Sequence, residues 1–273
     1  MTLLLAALLP ALATGPADAD TVKLPVPNVE YRTNEATASR SPWIDANGWQ
    51  LLREPARPYY YDVPSASVAI AAAEAFAYGA KAEIHTDAAG VAIFNRMLQF
   101  LGGIPEPGDL PAMANIGVIE DGSPDTGELM NLLSRRNLLY RIVAAPDPHL
   151  DLNIRLGSKE YPKSEAANPS ELAQKIRAEL TDDKRLLRLY GSEVVIARLV
   201  GNAGRVRIHL LNYAHRPVTG LHVRVLGAYA NWHVAAYDKP GLKLGDFTAA
   251  DGATEFTVPE MSTYAVIDLT AAR

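Results

Sequence analysis

The 273-residue chain contains no cysteine. That absence excludes disulfides, thiolate metal sites, iron–sulfur clusters and a cysteine nucleophile. Positive charge is scarce as well. Lys and Arg number 26 against 31 Asp and Glu, a formal charge of -5, which argues against phosphate-backbone binding and against nucleic acid as a partner. No stretch approaches the roughly 20 apolar residues of a membrane-spanning helix, so no integral membrane segment is expected. There is no Gly-rich phosphate fingerprint and no Gly-x-Ser-x-Gly elbow, and no cofactor is expected. What remains is a globular composition, 48% hydrophobic and 21% charged, able to bury one large core or two modest ones unaided.

The first residues read as an address. Leu3 to Ala13 is almost wholly apolar, broken by Pro10, and Ala17-Asp18-Ala19 offers small residues for cleavage, although Met1-Thr2 lacks the usual Lys or Arg. Residues 1–19 are therefore expected to be a signal peptide and the chain to be exported, to the periplasm or beyond. Residues 20–42 are Pro-, Thr-, Asn- and Glu-rich and read as an extended lead-in.

From Trp43 to Ser192 helix and strand patterns alternate. Ser65 is expected to cap a run, Ala66 to Tyr78, that is nearly all Ala, Val, Ile and Phe, a helix buried on most sides, and Gly79 ends it. Strand candidates at Lys81 to His85, Ala114 to Ile119, Leu138 to Val143 and Leu150 to Leu156 separate helices at Ala88 to Leu101, beyond Thr126, and Ser170 to Leu180, the last opened by Asn168-Pro169. The alternation predicts an α/β domain over 43–192, its parallel sheet carrying helices on both faces. Beyond Glu193 only strands follow, at Val194–Val200, Arg205–Tyr213, Leu221–Ala228, Trp232–Tyr237, Thr254–Val258 and Thr263–Leu269, which predicts a small antiparallel β-sandwich over 193–273. Val206, Ile208 and Leu210 share its inner side with Leu221, Val223 and Val225. Arg205, Arg207, His209, His222 and Arg224 are then expected on a solvated face.

This order of parts resembles the rear of family-42-like β-galactosidases. Ala73-Glu74-Ala75-Phe76-Ala77-Tyr78-Gly79-Ala80 is similar to a last barrel helix, Asn131-Leu132-Leu133 and Asn137-Leu138-Leu139-Tyr140 fall in an α/β unit, and Leu189-Tyr190-Gly191-Ser192-Glu193 and His209-Leu210-Leu211-Asn212-Tyr213 look like the join to a β-domain. The resemblance implies the last barrel units over 43–104, an amidotransferase- or flavodoxin-like domain over 105–192, and a closing β-sandwich. The chain departs from the pattern in having room for only one or two barrel units and in lacking the cysteine that a working amidotransferase domain needs.

Glycoside hydrolysis requires two carboxylates about 5 to 10 Å apart. Asp62, Asp87, Glu120 and Asp121 stand at predicted strand ends and are the catalytic candidates, each with an ordinary loop or cap role as its alternative. Trp43, Trp49, Tyr59, Tyr60 and Tyr61, with Arg53, are the candidate carbohydrate contacts, or else a seal between lead-in and first helix. His209 and His222, with His215 or His233, would form a metal site only against the charge of Arg205, Arg207 and Arg224, so no metal is expected. The function that follows is an exported, non-catalytic accessory or remnant of a glycosidase-like system, binding carbohydrate weakly or serving assembly, including with a second copy. The alternative is a glycoside hydrolase completed by a partner chain or by upstream sequence.

Overall fold

A computed structural model describes residues 9–13, 20–31, 42–105, 110–166 and 169–272. The expected cleavage site at Ala17-Asp18-Ala19, most of the apolar run read as a leader, and Asn168 lie outside the described residues. Strands β1 (Ala11–Leu12), β2 (Val22–Leu24), β3 (Asn28–Glu30) and β4 (Trp43–Asp45) precede helix α1 (Gly48–Arg53). Strand β5 (Tyr59–Asp62), helix α2 (Ser65–Ala77), strand β6 (Ala82–His85) and helix α3 (Ala88–Gly102) follow. The four strands β1, β6, β5 and β2, in that order, form one parallel sheet, and β3 pairs antiparallel with β4. Val22–Leu24 thus lies within the expected lead-in yet is a strand, because Leu24 is driven into the core.

Helix α2 forms the middle of the first core. Its alanines bring it close to α3 and to the sandwich, and ten of its residues are buried. It ends in a Schellman cap, with Gly79 N donating to Phe76 O at 3.0 Å and Ala80 N to Ala75 O at 2.9 Å. Gly79 supplies the positive φ, 65°, that this cap needs. Tyr78, just before it, lies against Gly48 so closely that a Cβ there would sit 2.1 Å from the ring. Gly48→Ala is expected to cost about 1–3 kcal/mol by forcing two packed elements apart, read as a lower urea midpoint; an unchanged midpoint would show that the ring yields freely.

The second α/β part comprises β7 (Ile116–Ile119), α4 (Pro124–Arg135), β8 (Tyr140–Val143), β9 (Leu152–Ile154), α5 (Lys163–Ala166) and α6 (Pro169–Lys184). Its three strands are parallel in the order β8-β7-β9. Ser123 caps α4 by accepting from Thr126 N, so that helix starts ahead of Thr126. Helix α6 is interrupted at Thr181, φ 58° and ψ 158°, immediately after Leu180.

The remainder is a sandwich of two four-stranded antiparallel sheets: β10 (Leu187–Tyr190), β13 (Val218–Leu226), β16 (Ala253–Met261) and β15 (Gly245–Ala250), against β11 (Val195–Asn202), β12 (Arg205–Asn212), β17 (Tyr264–Thr270) and β14 (Asn231–Ala236). Strands β10 and β15 extend the expected set, and β10 places the sandwich's beginning before Glu193.

An α/β region followed by a β-rich one is therefore the architecture, with two corrections. The parallel strands form two separate sheets, and among the described residues the first carries helices on one face only. Leu24, Tyr59, Tyr61, Ala82 and Ile84 point to the core shared with α2 and α3, while Lys23, Asp62 and Glu83 on the opposite side are exposed. The face bearing Arg207 and His209 is not solvated either. The sheet of β11, β12, β17 and β14 packs its inner side into the sandwich and its outer side, through Ile196, Leu211, Tyr213, Tyr264 and Val266, onto the α2–α3 core. Arg207 is fully buried and His209 nearly so.

Candidate functional site

Two-residue periodicity sorts the Tyr59-Tyr60-Tyr61-Asp62 strand into two roles. Tyr59 and Tyr61 are buried, 3% and 0% exposed, and are withdrawn from any ligand. Tyr61 OH donates to Glu74 Oε2 at 2.9 Å, and Tyr59 OH donates to the carbonyls of Gln50 and Glu54. Tyr60 and Asp62 point the other way and meet residues brought by neighbouring strands. The register sets Lys23 and Glu83 beside Tyr60, and His85 beside Asp62. Lys23 Nζ lies 2.8 Å from Asp62 Oδ2, the Tyr60 and His85 rings are 5.2 Å apart and tilted by 35°, and His85 Nε2 stands 3.6 Å from Glu83 Oε2. His85 Nε2 is sealed from solvent and makes no hydrogen bond among the described residues.

The result is a polar, half-open face with an aromatic ring, two carboxylates, an ammonium and an imidazole. Asp62 and His85 stand at the carboxyl ends of parallel strands, where α/β sheets bind ligands. The hydrogen bond and charge of Lys23 hold the Asp62 carboxyl below the usual range, so it is a standing anion.

The other candidates are engaged in holding the fold. Asp87 accepts Gly90 N at 2.8 Å and Ser65 N at 3.2 Å, tying together the starts of α3 and α2; these backbone donors lower its pKa. Glu120 receives Arg53 through two bonds, 3.0 and 2.7 Å, and Gly122 N at 2.6 Å; its pKa is lowered, with burial opposing the pull of Arg53. Asp121 accepts from Ser123 N at 2.9 Å, and bonds to Ser123 bring its pKa down to about 2. Arg53 also donates to Ser123 O, so it is a strut between α1 and the β7–α4 turn. Trp49 packs beside Gly127 of α4. Trp43 carries the Arg135 guanidinium 3.6 Å over its ring and donates from Nε1 to Asp45. These two tryptophans and Arg53 belong to the seam between the α/β parts.

Nor do the imidazoles gather. His209 lies on β12 and His222 on β13, in different sheets, so they are not cross-strand neighbours. His209 Nδ1 is 2.6 Å from Tyr264 OH, and burial holds its pKa well below the ordinary value. His222 lies 3.3 Å from Glu255 on the sandwich's outer surface.

Two groups escaped sequence reading. Glu83 and His85 were visible only as part of a strand, and their alternation with Ala82 and Ile84 was the available signal. Glu74, the lone charge in the apolar helix, is 0% exposed and accepts from Asn47 N at 2.7 Å, Asn47 Nδ2 at 3.0 Å, Tyr61 OH at 2.9 Å and Tyr213 OH at 2.6 Å. Burial raises its pKa, against the pull of those donors.

No family model matches the chain, and no curated protein matches it. The chain shares its fold with a solved glycosidase. The alpha-L-fucosidase isoenzyme 2 from Paenibacillus thiaminolyticus superposes with a TM-score of 0.55 at 9% identity, over 80% of this chain and 61% of the fucosidase chain. The present chain thus spans under two thirds of that enzyme's length, and at this identity the likeness is one of fold alone. A family 30 subfamily 8 xylanase from Clostridium acetobutylicum aligns over 81% of this chain and 45% of its own at 9% identity, but its TM-score of 0.28 carries no argument.

Proposed function

We propose that this is a glycosidase-related protein that binds carbohydrate without hydrolysing it, through the face formed by Lys23, Tyr60, Asp62, Glu83 and His85. The observation that carries the reading is the pairing of an accessible aromatic ring with fixed polar groups at the carboxyl ends of parallel strands. A ring takes the apolar side of a pyranose while carboxylates and an ammonium take its hydroxyls. Hydrolysis asks for more. One carboxyl must remain protonated while the other is ionised. Asp62 is kept ionised by Lys23, and its side chain is 58% exposed, without the apolar enclosure that raises a carboxyl's pKa.

In this reading the second α/β part corresponds to the amidotransferase-like domain of family-42-like enzymes, serving contacts rather than chemistry, and the protein is exported. Cleavage after Ala19 would remove β1 and leave β6 as a sheet edge. The open parallel sheet favours one second reading, a hydrolase whose site is completed by further strands.

The test is a glycan array followed by calorimetry. Tyr60→Ala is expected to weaken binding of the best glycan about tenfold or more, since stacking on an aromatic face contributes on the order of 1–2 kcal/mol. The wild-type protein is expected not to turn over nitrophenyl glycosides. Turnover abolished by Asp62→Ala or Glu83→Ala would establish the hydrolase, and a silent array would remove the carbohydrate reading.

A further inference from the structure

A second site lies away from that face, where the two α/β parts meet the sandwich. Leu52, Tyr78, Met113, Tyr140, Arg198 and Leu199 border a cavity of about 160 Å³. Most of its wall is apolar, and most of its polar groups are already engaged. Asn137 donates from Nδ2 to Val195 O and accepts Ala197 N, Ser134 Oγ lies 3.2 Å from Tyr140 OH, and Arg141 is paired with Asp147.

Arg198 is the exception. Its Nη1 donates to Ala77 O at the end of α2, and its guanidinium carbon lies 5.0 Å from the centre of the Tyr78 ring. Its Nε is sealed from solvent with no partner, no hydrogen bond engages Nη2, and no carboxylate pairs with the residue among the described residues. Burial lowers its pKa. The helix end offers only about half an elementary charge to balance it. The guanidinium is partly buried, and Nη2, accessible and unengaged among the described residues, can give a carboxylate a charge-assisted hydrogen bond.

We infer that this cavity binds a small monocarboxylate with a compact apolar body, its carboxylate accepting from Nη2 of Arg198. Size supports this, since a protein cavity of about 150 Å³ with apolar walls accommodates a benzene ring. The walls also select against a sugar acid, whose hydroxyls would be buried without partners.

The probe is benzoate, titrated calorimetrically into the full chain at low salt alongside benzyl alcohol, glucuronate and inorganic phosphate. Benzoate is expected to saturate at one site, with benzyl alcohol at least about tenfold weaker for want of the charge-assisted pair. Arg198→Met is expected to abolish benzoate binding while circular dichroism stays native. Ala112→Phe narrows the cavity from an exposed rim position with the charge intact, and is expected to weaken benzoate about tenfold or more even if the Met variant does not fold. The inference is overturned if benzoate gives no saturable signal, if it binds a folded Arg198→Met as tightly as wild type, if Ala112→Phe leaves its affinity unchanged, or if phosphate or glucuronate binds more tightly.

Discussion

Glu74→Ala is expected to lower unfolding stability by about 3–5 kcal/mol, one of the largest effects of any single substitution in this chain. The carboxylate joins Asn47, Tyr61 and Tyr213, which come from the α1 entry, the first parallel sheet and the sandwich. Each buried donor left without its acceptor costs about 1–3 kcal/mol, and a network in a low-dielectric core is lost as a unit. Urea denaturation measures it; a loss below about 1 kcal/mol would mean that water or a neighbour replaces the carboxylate. Glu74→Gln keeps the shape and separates charge from bonding. Because burial raises the folded pKa above the unfolded one, the native state holds the proton more tightly. The associated stability is complete below the unfolded pKa and is lost as pH rises through the raised value. The stability advantage of wild type over Glu74→Gln should therefore narrow from acid to neutral pH, and a constant gap would contradict the raised pKa.

Asp268→Ala is expected to cost a similar amount, about 3–5 kcal/mol, by leaving a buried guanidinium without its anion. Arg207 is 0% exposed and meets Asp268 through two bonds of 2.7 Å, from Nε to Oδ1 and from Nη2 to Oδ2. Nη2 also donates to Pro105 O at 2.7 Å, fastening the chain beyond α3 to the sandwich. Buried pairs repay little of their desolvation, so replacing both partners is expected to be far milder than removing one. Arg207→Met with Asp268→Leu should recover most of the loss in the same denaturation experiment. If the double variant is no better than Asp268→Ala, the pair holds the interface through geometry that apolar packing cannot replace. The Lys23–Asp62 pair is the contrast: both side chains are more than half exposed, and its loss should leave the melting temperature unchanged.

Local chemistry accounts for how much of the fold was legible. Helix α2 was readable because an apolar run and Gly79 agree on one element, and its Schellman cap uses Gly79 as read; Ser65, read as its cap, is instead its first residue, with Pro64 at the N-cap and no side-chain capping bond. Asp87 and Asp121 look alike in sequence whether they catalyse or cap, and only the backbone donors they receive assign them to the fold. The three consecutive tyrosines read as one aromatic patch, but a strand divides them, leaving Tyr60 alone on the accessible side. Arg207 and His209 alternate with Val206, Ile208 and Leu210 as a half-solvated strand should, and this is where periodicity misleads. It identifies two faces and cannot say that a helical layer will cover the polar one.

The sequence by itself determined the absence of cysteine chemistry, the order of an α/β region and a β region, and most element positions, because composition, caps and hydrophobic period act over a few residues. The tertiary structure decided everything that depends on partners distant in the chain. It divided the parallel strands into two sheets, buried Glu74 among donors up to 139 positions away, and set Lys23, Tyr60, Asp62, Glu83 and His85 on one face. It also left Arg198 beside a cavity without an anion. Burial and charge balance are properties of what covers a residue, and in this chain the cover comes from elements distant in sequence.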